Sequence, residues 1–230
     1  MKNNDSNNPD NTSLIIFIRL PSPGRVKSRL ATSLGAEIAT KVYQLCAEHV
    51  FQESDRVSSG IQKYVFYSDR RDEEKIKQWA GSRFRFSPQV QGNLGKRIDD
   101  AFRTVFDRGT RKAIIVASDV PDLSAEIIDD AASKLDEYDI VIGPCRDGGY
   151  YLLGMNKFYR QLFQGIAWST GQVYRQTLYN AKEMDLKAYS LPCLTDIDTE
   201  EDLRQWSEIT TDGYHPLQQY AGTLGFQIDI

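Results

Sequence analysis

Residues 110–123 read TRKAIIVASDVPDL, and this stretch decides the fold. Ala113 to Ala117 is a run of small and β-branched apolar residues. It is too continuously apolar to alternate, so it predicts a parallel strand covered on both faces. Ser118 and Asp119 follow at once, then Pro121 and Asp122. In open α/β sheets ligands gather outside the carboxyl ends of the strands. The strand end therefore sets the Asp119 carboxylate where a metal–phosphate ligand would sit, while Asp122 reads as a turn former or helix cap.

Working outward, the same kind of strand recurs between amphipathic segments. Leu14 to Arg19 (LIIFIR) reads as a first buried strand, broken by Pro21 and Pro23-Gly24. Ala36 to Glu53 has helical periodicity, and Lys63 to Tyr67 reads as a strand. Asp72 to Trp79 is a short predicted helix, Phe84 to Ser87 a strand, and Gly95 to Phe106 a helix with Ile98, Ala101, Phe102 and Val105 inward. After the 112–117 strand, Ser124 is set to cap a helix. Asp139 to Gly143 and Tyr150 to Leu153 read as extended, Gln172 to Lys182 as helical and Ala188 to Leu191 as a strand. Thr199 with Asp202 forms a capping box that opens a last helix, to about Ile209. Strands alternating with helices predict an α/β fold with one mostly parallel sheet in a three-layer α/β/α sandwich. Residues 1–13, polar and rich in Asn and Asp, are expected to be a disordered leader. Residues 14–209 are expected to form a single domain, and residues 210–230 an irregular C-terminal tail.

Composition narrows the function classes. The chain has 230 residues, 40% hydrophobic and 26% charged, ordinary values for a globular protein with a full core. A net charge of −4 gives no basic excess, so nucleic acid is not an expected partner. The three cysteines, Cys46, Cys145 and Cys193, form no CxxC pair, which argues against a disulfide framework or a zinc site and suits a reducing cytoplasm. With only two histidines, His49 and His215, a metal would have to be held mainly by oxygen. The apolar strands are far shorter than a bilayer span, so no membrane partner is expected. Oligomeric state is left open.

Five segments carry the chemistry. The loop after the first strand, Pro21-Ser22-Pro23-Gly24-Arg25-Val26-Lys27-Ser28-Arg29, brings Arg25, Lys27 and Arg29 within five residues. Together with backbone N–H groups near Gly24, they could wrap a diphosphate. Neither GxxxxGK[ST] nor GxGxxG is present, so it is not a Walker A loop or a dinucleotide fingerprint. Gln91-Gly92-Asn93-Leu94-Gly95-Lys96-Arg97 is a glycine-punctuated loop. There Gly92 and Gly95 permit close approach of a flat ring, Gln91 and Asn93 offer hydrogen bonds to a base, and Arg97 could reach a phosphate. Its plain alternative is a turn with a helix cap. In Cys145-Arg146-Asp147-Gly148-Gly149, Asp147 could take a proton, and Gly148 and Gly149 would let a substrate lie on the backbone. Trp168 before Ser169-Thr170 could stack on a sugar or simply pack in the core. Asp196-Ile197-Asp198, if extended, turns both carboxylates to one side and Ile197 to the core. Mg²⁺ or Mn²⁺ takes one or two carboxylates plus substrate phosphates, a need that Asp119 with Asp198, or with Asp196, would meet.

The segments PSPGRVKSRLA (21–31), QGNLGKRIDDAF (91–102), IIVASDVPDLS (114–124), VIGPCRDGGYYLLGM (141–155), FQGIAWST (163–170) and DIDTEEDL (196–203) resemble, in order, the DUF2064 family of GT-A-like proteins. Some of its members are labelled as glycosyltransferases associated with arsenosugar biosynthesis. The resemblance runs from about Leu14 to Leu203 and implies the nucleotide-diphospho-sugar transferase fold. By it, Pro23, Gly24, Arg25, Lys27 and Arg29 would bind the phosphates of a nucleotide or nucleotide-sugar, and Asp119 with Asp196 and Asp198 would hold the metal. Two departures stand out. The DxD of GT-A glycosyltransferases is Asp119-Val120-Pro121 here, so its second acid is missing, and Asn93 stands where the family often has an acid.

These readings converge on a metal-dependent transferase that uses a nucleotide-activated donor and a small-molecule acceptor. Asp119, Asp147 and Lys27 are the expected catalytic residues, in a glycosyl transfer with Asp147 as general base. The alternatives are a nucleotidyl transfer that releases pyrophosphate, and a binding module without catalysis. A hydrolase is disfavoured, since no GxSxG occurs.

Overall fold

The apolar runs of the sequence become the middle of a sheet. The structure, a computed structural model, describes residues 11–210 and 215–226. Its strands are β1 (Thr12–Ile18), β2 (Gln62–Tyr67), β3 (Arg85–Pro88), β4 (Lys112–Val116), β5 (Ile140–Pro144), β6 (Tyr150–Met155) and β7 (Ala188–Ser190). They pair in the order β3-β2-β1-β4-β6-β5-β7. All neighbours are parallel except β6, which runs antiparallel to both β4 and β5. β1 and β4 are apolar throughout because both of their faces are covered. Leu14, Ile16, Ile114 and Val116 enter the core on one face, and Ile15, Ala113 and Ile115 enter it on the other.

Helices α2 (Ala36–Arg56), α3 (Glu73–Ala80) and α5 (Ala125–Lys134) supply the first face, through Val50, Ile76 and Ile128 among others. Helices α4 (Leu94–Phe106) and α6 (Val173–Glu183) supply the second. On α4 the buried Ile98, Ala101, Phe102 and Val105 follow the helical stripe. Caps fall where the residue types place them. Asn93 accepts from Lys96 N, Ser124 accepts from Ile127 N, and Thr199 with Asp202 forms the reciprocal capping box of α7 (Glu200–Ile209).

Behind one end of the sheet lies a third apolar cluster. In it α1 (Ser28–Leu34), α2, α7 and α8 (Pro216–Thr223) meet through Leu30, Val42, Cys46, Leu203, Trp206 and Leu217. The buried Ile197 joins the same cluster.

Three boundaries differ from the sequence expectation. β1 starts at Thr12, two residues before Leu14 and inside the expected leader. Ser13 is polar but fully buried, with its hydroxyl 2.7 Å from Thr110 Oγ1, so its burial leaves no apolar signal. Residues 1–10 of the expected leader lie outside the described residues. Ser28–Leu34, expected as loop, is a helix of seven residues with no side-chain cap. That is too short for a readable period, and burial of Leu30 holds it. Within the expected irregular tail, α8 is opened by His215, which accepts from Leu217 N, and by Pro216 in its first turn. Residues 211–214 and 227–230 of that tail lie outside the described residues.

The topology places a crevice. From β1 the chain builds outward through β2 and β3, then returns to the opposite side of β1 as β4. The next strand after β1 (β2) and the next after β4 (β5) lie on opposite sides of this pair, so the strand order reverses between β1 and β4. In open α/β sheets ligands bind outside the carboxyl ends of the strands at such a switch point. Among the described residues, no helix is long and apolar enough to cross a membrane.

Candidate active site

A cleft of about 700 Å³ opens at this switch point. Its floor is the end of β1 and β4 (Phe17, Ile18, Ile115, Val116) with Tyr150 and Tyr151 of β6. Tyr43 of α2 fastens the two strand ends together: its hydroxyl accepts from Arg19 N at 2.9 Å and lies 3.0 Å from Ser118 Oγ. Burial pushes the Tyr43 phenol up, so it stays protonated.

At the centre is Lys27. Its ammonium donates to Asp119 Oδ2 at 2.7 Å and to Asp198 Oδ1 at 2.5 Å, and its side chain is 5% exposed. Segments 92 and 171 residues apart in the chain thus meet at one nitrogen. Two features of the backbone bring them there. Lys27 itself has φ 49° and ψ 52°, a left-handed conformation rare for a residue with a Cβ. Ile197 N donates to Asp119 O at 3.0 Å and ties the 196–198 segment to the end of β4. Ile197 is fully buried while Asp196 and Asp198 both line the cleft. Burial works to lower the Lys27 pKa, but Asp119 and Asp198 outweigh it and hold the group well above the ordinary lysine range. Burial likewise works to raise Asp198, and Lys27, then Arg29, overcome it so that its pKa ends low. Arg29 stays at the rim, 71% exposed and 3.8 Å from Asp198.

Among the described residues, the acids on the far side have no such cationic partner. Ligand atoms of Cys145, Asp147 and Asp196 lie within 4.8 Å of one another. Burial, and then the charges of Asp147, Asp119 and Asp198, push Asp196 up to about 6. Burial, and then the charges of Asp196, Asp147 and Asp119, push the Cys145 thiol far up, so it stays neutral. Oxygen donors with surplus negative charge suit a hard divalent cation; a neutral, soft thiol does not. Within the expected metal set, therefore, Asp196 faces Asp147 and Cys145, whereas Asp119 and Asp198 are engaged by Lys27.

The other expected site residues divide. Arg97 and Gly149 line the cleft, and Arg97 Nε donates to Gly92 O at 3.0 Å. Asp147 lines it too, with Oδ1 accepting from Gly149 N at 2.7 Å, so it forms the turn as well as facing the cleft. Arg25 turns away to pair with Asp69 and Asp72 on the α3 side, because the loop reverses direction between Gly24 (φ +75°) and Lys27. Pro23 and Gly24 are exposed and outside the lining. Gln91 and Gly92 are exposed outside it as well, and Asn93 spends its side chain on the α4 cap. Gly95 and Gly148 serve packing. A Cβ on Gly95 would lie 2.2 Å from the Trp168 indole nitrogen, and one on Gly148 would lie 2.2 Å from Gly171 O. Trp168 packs with Phe163 and the second core cluster and does not line the cleft. Three lining residues carried no sequence signal: Tyr43, Ser118 and Gln89. Gln89 is held by its amide donating to Phe66 O. Ser169, Thr170 and Gly171 also line the cleft, with Gly171 packed against the Asp147–Gly148 turn.

A chain with this cleft can be set beside known proteins. Residues 55–170 match the family described as "Uncharacterized protein conserved in bacteria (DUF2064)". A crystal structure from Desulfovibrio desulfuricans G20, described as a "putative nucleotide-diphospho-sugar transferase", is 30% identical to the chain. It superposes with a TM-score of 0.88 over 95% of this chain and 99% of the other. The chain belongs to the DUF2064 family. No match was found among curated proteins. More distant structures share the fold of this DUF2064 protein. One is CMP:2-keto-3-deoxy-manno-octonic acid synthetase complexed with CTP, 10% identical over 85% of this chain and 96% of that one, TM-score 0.55. Another is 4-diphosphocytidyl-2C-methyl-D-erythritol synthase from Anaerococcus prevotii DSM 20548, 13% identical over 83% and 92%, TM-score 0.54. The DUF2064 chain thus has the three-layer, mostly parallel architecture of the nucleotide-diphospho-sugar transferase fold.

Proposed function

We propose that this protein is a transferase that binds a nucleotide-activated donor in the cleft and moves its sugar to a hydroxyl of a small acceptor. The observation that carries the reading is the meeting of Lys27, Asp119 and Asp198 at the switch point of the sheet. A cation centre flanked by acids at that position suits a diphosphate together with its counter-ion. The 30% identical Desulfovibrio structure, by its description, supports the same class.

In this reading Arg29 and Arg97 draw the donor's phosphates into the cleft, and Lys27 offsets the charge that grows on the departing diphosphate. The acceptor oxygen attacks the anomeric carbon as the bond from that carbon to the diphosphate oxygen breaks. Asp147 takes the acceptor proton, with its carboxylate steadied by the Gly149 N–H. A divalent cation, Mg²⁺ or Mn²⁺, would be held from the Asp196 side and would supply further neutralisation of phosphate charge. The free cysteines Cys46, Cys145 and Cys193 support a reducing, cytoplasmic setting.

Nucleotidyl transfer is the second reading. It is favoured by the Asp119-Val120-Pro121 sequence, which lacks a second acid, and by the partial commitment of Asp147 to its own turn. There an acceptor phosphate attacks the α-phosphorus, pyrophosphate leaves, and positioning with charge neutralisation suffices. Panels of nucleotide-sugars and nucleoside triphosphates with Mg²⁺ or Mn²⁺ separate the two. Release of nucleoside diphosphate supports sugar transfer, and release of pyrophosphate supports nucleotidyl transfer. Turnover with neither panel, together with no thermal shift by any nucleotide, refutes both.

A further inference from the structure

Lys27 does more in this fold than offer a positive charge to a phosphate. Its side chain is 5% exposed, and its ammonium gives one N–H to each of Asp119 and Asp198. Its left-handed backbone sends the side chain inward, whereas Arg25 and Arg29, two residues away on either side, point to the α3 side and to the rim. The ammonium therefore stands between two carboxylates that a divalent cation would otherwise bridge. A cation and an ammonium cannot both occupy the gap between two carboxylates that one Lys Nζ already bridges at 2.7 and 2.5 Å.

We propose that the Lys27 ammonium is the resident cation of the Asp119–Asp198 pair and competes with divalent ions for it. In the absence of nucleotide, the protein then withholds these two acids from metal. They become metal ligands only when Lys27 moves, and an incoming polyphosphate is the group in the cleft able to draw an ammonium away. The cleft would thus link metal capture at these acids to donor binding. The inference deepens the reading of the cleft as a nucleotide site. Its metal-binding half stands or falls without any turnover.

The test is titration of Mn²⁺ into nucleotide-free protein, following the electron paramagnetic resonance signal of the free ion. Lys27→Met should bind Mn²⁺ about tenfold or more tightly than wild type, a difference of about 1.4 kcal/mol, because two close carboxylates lose their neutralising partner. Adding Asp119→Asn to that variant should erase the gain. Asp119→Asn alone should change wild-type Mn²⁺ affinity by less than about threefold, since Lys27 already shields that carboxylate. The single Asp119→Asn variant keeps the lysine and gives an answer even if Lys27→Met fails to fold. Equal affinity of Lys27→Met and wild type would overturn the proposal, as would a tenfold loss in Asp119→Asn alone. Absence of transferase activity on every nucleotide panel would defeat the functional reading and leave these affinities unaffected.

Discussion

Two regions touch at the 119–123 segment and solve opposite problems. On the cleft side, Lys27 bridges Asp119 and Asp198, and Asp147 and Asp196 line the same cleft beside Cys145. On the other side, Asp122 accepts from the indole of Trp206 at 2.8 Å, beside an apolar cluster built from α1, α2, α7 and α8. Both regions join segments that are far apart in sequence. The first neutralises its acids unevenly: Lys27 serves Asp119 and Asp198, while Asp196 rises to about 6 through burial and its acidic neighbours. The second is built, among the described residues, on apolar side chains such as Leu30, Leu203, Trp206 and Leu217. Charged groups are gathered in an open cleft, and apolar packing lies behind it.

This contrast can be broken at either side. The largest effect is expected from Trp206→Ala, because Trp206 is fully buried at the centre of the apolar cluster. It should cost about 3–5 kcal/mol in urea unfolding. Residual activity at low temperature would show that the cluster only supports the cleft, and a loss below about 1 kcal/mol would show that the α7–α8 packing is dispensable. Asp119→Ala should act the other way. Turnover on the active nucleotide panel should fall about a hundredfold or more, with a small change in melting temperature, since Lys27 keeps Asp198. Undiminished turnover would remove Asp119 from the site. Gly95→Ala sharpens the boundary between cleft and core. Its Cβ would meet the Trp168 indole at 2.2 Å, so a destabilisation of about 1–3 kcal/mol is expected, read from the same unfolding curves. The smallest effect should be that of Arg25→Ala. Its partners Asp69 and Asp72 lie on the α3 side and its side chain is 47% exposed, so stability should change by less than about 1 kcal/mol. Nucleotide affinity, read by calorimetry, should be unchanged; a marked loss would return Arg25 to the phosphate site.

Much of this was legible before folding was considered. The strand at 112–116, the Ser124 cap and the Thr199–Asp202 box all fall where local chemistry puts them, and Asn93, read as a contact to a base, is spent on the plainer alternative of a helix cap. Asp196 and Asp198 flank a buried Ile197, as strict alternation requires. What escaped was of two kinds. Polar but buried residues such as Ser13 and Tyr43 look like surface residues in the sequence, because their hydroxyls are satisfied by partners 97 and 24 residues away. Repeated chemistry was also misleading: Arg25, Lys27 and Arg29 appear equivalent in the chain, yet only Lys27 is interior. Glycines suggested ligand approach at Gly95 and Gly148, and both instead admit a close neighbour from the protein itself.

The alternation of strands and helices, and the acids that end those strands, are properties of short stretches, set by side-chain period, turn chemistry and capping. Those features alone called for a mostly parallel α/β sheet and put acids at the carboxyl ends of its strands. Which of three cations would enter, and which two of four acids it would hold, depended on a left-handed turn at Lys27 and on the Ile197–Asp119 backbone bond. Both arise from packing between segments dozens of residues apart. Electrostatic partners are chosen by distance in space, and a linear order of residues carries little of that distance.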